Sequence, residues 1–148
     1  MLPLKLFPIL VIDDDPLLTD VVVRSAKKGF PEATFTHMLT ATEAISYIKN
    51  LNGQGPKLII LDLNLSDTLS GFDFLTFLQG HSQARLVPVI VLTVSQASED
   101  IEEAYQLGGT SFTNKPFSSQ EWIIYFDVLR NYWYKTAKMP DIVFHKVE

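Results

Sequence analysis

The sequence contains no cysteine, so a disulfide framework and thiol chemistry are both excluded. It has no apolar run near the ~20 residues that a membrane-spanning helix requires, and its start lacks a signal-peptide cleavage pattern. Positive charge is scarce, since 12 Lys and Arg stand against 17 Asp and Glu, which gives a net charge of −5. These absences predict a cytoplasmic chain with neither a membrane nor a nucleic-acid partner.

Apolar material is plentiful: 47% of the 148 residues are hydrophobic, which is enough for the core of one domain. Short apolar runs alternate with helical patterns along the chain. The expected strands lie at 7–12, 34–39, 58–61, 87–92 and 111–114. This alternation predicts an α/β fold of the flavodoxin-like, doubly wound type. We expect a five-stranded parallel sheet in the order 2-1-3-4-5 and five helices, the last of them long.

The chain is expected to form a single domain over 1–148, with a core at 1–134 and a tail at 135–148. No linker, repeat or low-complexity tract divides it. The last helix is predicted from about 118 to 134, and only about fifteen residues follow it. We therefore expect no appended DNA-binding or enzymatic domain.

Chemically capable side chains stand where the predicted strands end. Asp13 and Asp14 follow the first strand, Asp62 the third, Thr93 the fourth and Lys115 the fifth. Ligand sites of such sheets lie at the carboxyl ends of the strands, so these groups are expected to meet. Each has an ordinary interpretation by itself: a solvated acidic turn, a strand-end residue, a surface lysine. Together they suit a divalent cation among carboxylates, with an ammonium and a hydroxyl for phosphoryl oxygens.

Four stretches carry a resemblance to the response regulator receiver family. They are ILVIDDDP at 9–16, LIILDLN at 58–64, VIVLT at 89–93 and SFTNKPF at 111–117. Each is a weak motif alone, but all four occur in order and each closes a strand. The resemblance implies a two-component phosphorelay protein that accepts a phosphoryl group from a sensor histidine kinase. It implies no enzymatic function beyond the protein's own phosphorylation and dephosphorylation.

The resemblance also implies roles for individual acids. Asp62 is expected to be the phosphoacceptor. Asp13 and Asp14 would form the acidic pair that holds Mg²⁺, with Asp14 the direct ligand, and Mn²⁺ could substitute. The backbone carbonyl of Asn64 and the Asp62 carboxylate would complete the protein's share of the metal shell.

Four further residues take implied roles around the phosphoryl group. Thr93 would be the switch hydroxyl, and Lys115 the ammonium that pairs with the phosphoryl oxygens. Phe112 would be the aromatic switch that turns inward when Thr93 moves, although an ordinary core position explains it nearly as well. The family also implies a cis peptide bond between Lys115 and Pro116.

The sequence departs from the receiver pattern at two places beside this constellation. The loop from Asp62 to Gly71 is one residue longer than the family norm, and Ser66 stands where a proline is usual. Val94 follows Thr93, where a small residue is common. A β-branched side chain there is expected to narrow the entrance and slow the hydrolysis of the acyl phosphate.

The last helix is unusually aromatic, with more than the single apolar stripe that a covering helix needs. The excess predicts that part of this helix is buried against a partner, with Trp122, Phe126, Tyr132 and Trp133 at the interface. The segment YWYKTAKMP at 132–140 resembles single-domain regulators that partner phytochrome-type histidine kinases, and this resemblance implies a homodimer through the face around the last helix. In that case the β-like run at 142–144 would reach across to the second subunit.

Two alternatives use a similar fold. A haloacid-dehalogenase-like phosphohydrolase also has a strand-end Asp and Mg²⁺, but it needs a second Asp where this chain has Asn64. A flavin-binding electron carrier needs a phosphate-cradling loop after the first strand, where the acids of this chain would repel a phosphate. The histidines His37, His81 and His145 show no spacing typical of metal ligands.

Overall fold

A computed structural model describes residues 5–94 and 96–146. Within these ranges five parallel strands form one sheet in the order β2-β1-β3-β4-β5. The strands are β1 (Phe7–Ile12), β2 (Ala33–Met38), β3 (Leu58–Leu61), β4 (Val89–Thr93) and β5 (Ser111–Asn114). The predicted doubly wound fold and its strand order are thus confirmed.

Helices cover both faces of this sheet. They are α1 (Leu18–Gly29), α2 (Ala41–Lys49), α3 (Gly71–Gln79), α4 (Ser98–Gln106) and α5 (Ser119–Leu129), with a 3₁₀ turn at Ala84–Leu86. A π-helix at Arg130–Tyr134 extends α5, so the helical stretch reaches the predicted end. The first and last helices pack on one face and the other three on the opposite face. No described helix combines the length and the apolar character needed to cross a bilayer.

The central strand β1 is buried on both of its faces. Leu10 and Ile12 belong to the core that α2, α3 and α4 cover, whereas Ile9 and Val11 belong to the core under α1 and α5. Successive side chains of a strand point to opposite faces, so an unbroken apolar run is what a central parallel strand requires. The strand then stops where the acids begin, at the carboxyl edge of the sheet.

Side-chain caps fix the starts of α2 and α3 at this same edge. The Thr40 hydroxyl accepts the N–H of Glu43 at 3.0 Å, which caps the first turn of α2. At α3 the two residues cap each other in a capping box: the Ser70 hydroxyl accepts the Asp73 N–H at 3.2 Å, and the Asp73 carboxylate accepts the Ser70 N–H at 2.8 Å. Each cap fixes the point at which a loop leaves the edge and a helix begins.

The packing of α5 against α1 corrects the predicted interface. Trp122 is 4% exposed and Phe126 fully buried in the chain's own core, so neither can serve a partner. The close approach depends on Gly29, where an added Cβ would lie 2.5 Å from the carbonyl oxygen of Ile123. The assignment of Trp122 and Phe126 to an interface is wrong, because one aromatic stripe is needed to fill the space above the sheet. Tyr132, by contrast, is 54% exposed.

The tail folds back onto its own chain. Phe144 is 1% exposed and packs in the core on the α2 and α3 side of the sheet. It forms an antiparallel bridge with Gly53, in the loop before β3. The prediction that 142–144 reaches a second subunit is therefore wrong for Phe144, because the apolar surface that binds this ring lies within the same chain.

Candidate functional site

Parallel pairing brings three acids together. Ile12 pairs with Leu61, so the residues that follow, Asp13 and Asp62, leave the sheet side by side. One carboxylate oxygen from each of Asp13, Asp14 and Asp62 lies within 4.8 Å of the others. Such a set of oxygen donors, with neither sulfur nor imidazole, fits Mg²⁺ or Mn²⁺. The expected acidic pocket is thus formed by residues from two separate strands.

The environment of Asp62 disfavours its charged form. The residue is 8% exposed, and burial is the main reason why its pKa rises from 3.8 to about 6. The charges of Asp13 and Asp14 raise it further, whereas the Asn64 N–H, at 3.0 Å from Oδ1, and the Lys115 ammonium act in the opposite direction. A cation among the three carboxylates would relieve this repulsion, so the electrostatics also fit a metal site.

Lys115 reaches the pocket from the end of β5. Its Nζ lies 2.7 Å from Oδ2 of Asp13 and 3.8 Å from Oδ2 of Asp62. Burial alone would lower the pKa of this ammonium, but the hydrogen bond and charge of Asp13 outweigh it, and the pKa is raised. The ammonium therefore stays charged beside Asp62, where it can bind an oxygen of an incoming anionic group.

A hydroxyl and an amide complete the rim of the pocket. Thr93 is fully buried at the end of β4, and its Oγ1 accepts a hydrogen bond from Nδ2 of Asn64 at 3.2 Å. Phe112 is half-buried on β5, and its N–H donates to the hydroxyl of Tyr105 at 3.2 Å. The position of Phe112 suits both a core residue and a movable aromatic, so its switch role stays a prediction, as does the metal contact of the Asn64 carbonyl.

Two hydrogen bonds fix the position of the loop after β3, one to an acid of the pocket and one to the start of α2. The Ser66 hydroxyl, which replaces the usual proline, donates to Oδ2 of Asp14. The Thr42 hydroxyl, at the start of α2, donates to Oδ2 of Asp67 at 2.8 Å. The sequence shows Ser66 only as a departure from the receiver pattern, because nothing in a linear sequence indicates which residues a loop will contact.

One site prediction is corrected. The described residues contain no cis peptide bond, so the expected cis bond between Lys115 and Pro116 is wrong. The preference of an X–Pro bond for trans is small, about 0.5–1 kcal/mol, and the surroundings decide the isomer. The Lys115 ammonium reaches Asp13 with this bond in the trans form.

Sequence reasoning missed His37. Its Nε2 lies 2.8 Å from the backbone carbonyl oxygen of Asp13, and its Nδ1 contacts the hydroxyl of Thr19. Spacing along the chain gave no signal, because His37 touches the backbone of an acid rather than a metal position. Only the pairing of β2 with β1 brings it there.

Comparison with curated proteins gives relatives that are similar in sequence. The chain is 32% identical over 117 residues to the probable transcriptional regulatory protein TcrX of Mycobacterium tuberculosis, covering 78% of this chain and 46% of TcrX. It is 32% identical over 114 residues to the phosphate regulon regulatory protein PhoB of Escherichia coli, covering 76% of this chain and 47% of PhoB. The chain thus spans about half the length of these curated relatives.

Solved structures show the same fold. The phosphorylated cyanobacterial phytochrome response regulator RcpA matches with a TM-score of 0.81 at 22% identity, covering 91% of this chain and 99% of RcpA. Regulator RPA3017, in red light signaling of R. palustris, also gives 0.81, at 23% identity and with 91% and 99% coverage. The response regulator receiver domain model matches residues 9–126, from β1 into α5. This chain therefore belongs to the response regulator receiver domain family and is the receiver domain of a response regulator in two-component signalling.

Proposed function

We propose that this chain works as a stand-alone response regulator that accepts a phosphoryl group on Asp62 in a Mg²⁺-dependent reaction. The observation that carries the proposal is the meeting of three carboxylates within 4.8 Å, with the Lys115 ammonium 3.8 Å from Asp62. The donor is the phosphohistidine of a sensor histidine kinase. The chain's product is an altered surface and not a released compound.

The chain's own residues supply the nucleophile and most of the contacts that orient the phosphoryl group. An oxygen of Asp62 attacks phosphorus, the P–N bond of the phosphohistidine breaks, and the imidazole nitrogen keeps the electron pair and takes up a proton. Lys115 binds a peripheral phosphoryl oxygen from the β5 side. Mg²⁺, held by Asp13, Asp14 and Asp62, supplies positive charge for the remaining phosphoryl oxygens when bound.

Switching follows because Asn64 and a phosphoryl group on Asp62 compete for the Thr93 hydroxyl. This hydroxyl accepts a hydrogen bond from the side-chain amide of Asn64, and the backbone N–H of Asn64 donates to Oδ1 of Asp62. A phosphoryl group on Asp62 adds roughly two negative charges beside these donors and attracts the Thr93 hydroxyl. Movement of Thr93 frees space next to β5, and Phe112 turns inward to fill it. The surface around α4, β5 and α5 then changes for a partner.

The outer face of α5 supports a homodimer. Four large apolar side chains on this face are exposed to solvent, which is unusual for one helix and the residues next to it. They are Phe117, Ile124, Val128 and Tyr132, which are 89%, 54%, 61% and 54% exposed. With Trp133 and Phe112 they line an apolar groove between β5 and α5. We propose that a second copy covers this groove, so Tyr132 and Trp133 remain interface residues.

The partner kinase is proposed to be of the phytochrome type. Support comes from RcpA and Rcp1, whose structures match over nearly their whole length and of which RcpA is described as a phytochrome response regulator. We further propose that this receiver itself acts in the cytoplasm and contacts no nucleic acid, in line with its net charge of −5. TcrX and PhoB, of which the matched region covers 46% and 47%, are described as transcriptional regulatory proteins, and that description applies to those longer proteins.

Phosphoryl transfer is tested with acetyl phosphate and Mg²⁺, followed by intact mass measurement. We expect one adduct per chain, absent in Asp62→Asn and retained in Asp141→Asn, which changes an exposed tail acid of the same type. An adduct that survives in Asp62→Asn would contradict the assignment. Turnover of generic phosphomonoesters would favour the phosphohydrolase, and a yellow protein the flavin carrier.

Dimerisation is tested by light scattering with and without beryllofluoride. We expect a dimer in at least one state, and a monomer for Val128→Glu in both, because a carboxylate would be buried in the groove. The matched control is Val143→Glu, an exposed tail valine. Monomeric wild-type protein in both states would contradict the proposed dimer without touching the assignment of Asp62.

A further inference from the structure

Asp13 is held at every polar atom. Its N–H donates to the Met38 carbonyl at 3.1 Å, and its Oδ1 accepts the Asp15 N–H at 3.0 Å. Its Oδ2 accepts a hydrogen bond from Lys115 Nζ at 2.7 Å. The remaining atom is its carbonyl oxygen, which lies beyond the end of β1 and faces His37, at 2.8 Å from Nε2. The turn that carries the acids therefore depends on a side chain from β2 for its last contact.

His37 is itself held from its other side. A carbonyl oxygen only accepts, so Nε2 of His37 donates this hydrogen bond, and Nδ1 on the other side of the ring contacts the hydroxyl of Thr19. Thr19 lies in the first turn of α1, the helix that follows the acidic turn. The imidazole thus bridges the two ends of that turn, from the carbonyl of Asp13 to α1.

The bridge matters for Asp14 as well as for Asp13. The carbonyl group of Asp13 and the N–H of Asp14 belong to one planar peptide unit. A bond that holds the carbonyl oxygen also fixes the orientation from which Asp14 leaves the chain. Without it this unit can rotate, and the carboxylates of Asp13 and Asp14 lose their common orientation toward Asp62.

We propose that His37, braced by Thr19, is a positioning residue that preorganises the acidic pair for the divalent cation. The inference rests on the proposed metal-dependent function. It assigns to β2 a part in the site, although no β2 side chain is among the acids, the ammonium or the hydroxyl. Groups that orient metal ligands through hydrogen bonds typically change metal affinity about 10–100-fold when removed.

The experiment measures Mg²⁺ affinity of the full chain by calorimetry, together with the thermal unfolding midpoint without metal. Thr19→Val removes the hydroxyl and keeps the shape, whereas Thr19→Ser keeps the hydroxyl. Thr76→Val is the matched control, since the exposed Thr76 hydroxyl donates to the carbonyl of Phe72, within α3. We expect Thr19→Val to weaken binding about 10-fold, with Thr19→Ser and Thr76→Val within twofold of wild type.

A second variant separates positioning from general stability. His37→Phe keeps a flat ring but loses both hydrogen bonds, so its Mg²⁺ affinity should fall at least as far as that of Thr19→Val. Because both substitutions break one chain of contacts, the double variant should bind no more weakly than His37→Phe alone. A purely structural role would lower the unfolding midpoint and leave the affinity of the folded protein unchanged.

The outcomes are distinct. Equal affinity of Thr19→Val and wild type overturns the inference, as does an equal loss in Thr19→Ser and Thr19→Val, or additive losses in the double variant. In those cases the wild-type protein still binds Mg²⁺, and the proposed function stands. If the wild-type protein binds no Mg²⁺ at millimolar concentrations, the proposed function fails first and the inference fails with it.

Discussion

Phe144 and Gly53 exchange two backbone hydrogen bonds: the N–H of Gly53 donates to the carbonyl of Phe144 at 2.7 Å, and the reverse bond measures 2.8 Å. The Phe144 ring then passes so close to Gly55 that a Cβ there would lie 2.5 Å from Cε2. The ring also neighbours His81, with centroids 6.2 Å apart. The tail is thus part of the core packing, which has measurable consequences.

The first prediction concerns the buried side chain of Phe144. Phe144→Ala should destabilise the chain by about 3–5 kcal/mol, because it removes a fully buried ring and leaves a cavity. Urea unfolding followed by circular dichroism measures the loss. Val143→Ala, one residue earlier and 48% exposed, should change the unfolding free energy by less than about 0.5 kcal/mol. Equal effects of the two substitutions would show that the tail is not docked in solution.

The second prediction concerns the pH dependence of stability. Nδ1 of His81 accepts the N–H groups of Gln83 and Ala84, at 3.2 and 3.0 Å, so Nε2 carries the proton. That buried Nε2 has no partner among the described residues. Burial lowers the pKa of His81 below its ordinary 6.5, because charging the ring there is unfavourable.

Since the folded-state pKa is the lower one, the contribution of His81 is fully present above pH 6.5 and is lost as pH falls through the folded pKa. The part of the unfolding free energy that comes from His81 should therefore decline below pH 6.5, by at most about 1.4 kcal/mol per pH unit. His81→Asn keeps an acceptor for the two amides and should remove that part of the slope. His145→Asn, at an exposed position, should leave the slope unchanged.

The third prediction concerns an ion pair in which the carboxylate is buried and the guanidinium is partly exposed. Nε of Arg130 lies 2.7 and 2.8 Å from the two carboxylate oxygens of Glu32, which is 2% exposed. The hydrogen bond from Arg130 lowers the Glu32 pKa, so this stabilisation is present above pH 4.5 and is lost as pH falls below it. Glu32→Gln should destabilise the chain by about 2–3 kcal/mol at pH 7, as measured by urea unfolding.

An exposed ion pair supplies the comparison for Glu32. On α1, Nη2 of Arg24 lies 2.9 Å from Oδ2 of Asp20, and the two side chains are 69% and 73% exposed. Water and salt screen such a pair, so Asp20→Asn should change stability by less than about 0.5 kcal/mol. If Asp20→Asn proved as costly as Glu32→Gln, burial would not be the reason for the effect.

The fourth prediction concerns the lifetime of the phosphorylated state. Val94 is 66% exposed and directly follows the buried Thr93. If its branched side chain restricts the approach of water, Val94→Ala should speed loss of the phosphoryl group about threefold, a change of ~0.7 kcal/mol in the barrier. The decay of phosphorylated protein on Phos-tag gels measures this rate, with Val143→Ala as control. An unchanged rate in Val94→Ala would remove any role for Val94.

Much of the site could be predicted from the sequence because it depends on strand ends. The apolar run before Asp62 marks a strand buried on both faces, and a parallel sheet brings such ends to one edge. This reasoning and the resemblance predicted five site residues: Asp13, Asp14, Asp62, Thr93 and Lys115. The three acids and Lys115 do lie together. What could not be predicted is the set of contacts made by side chains without a motif, such as His37 and Ser66.

The aromatic residues show what could not be predicted from the sequence, namely which side chains are buried. Trp122, Phe126, Tyr132 and Phe144 look alike in a sequence, yet the first two and the last are buried and Tyr132 is exposed. The five strands and the acidic edge could be predicted from the sequence, because buried parallel strands appear as unbroken apolar runs and their carboxyl ends meet at one edge of the sheet. Which of these rings lie in the core could be seen only in the folded chain, because burial depends on the space left between elements that are distant in the chain.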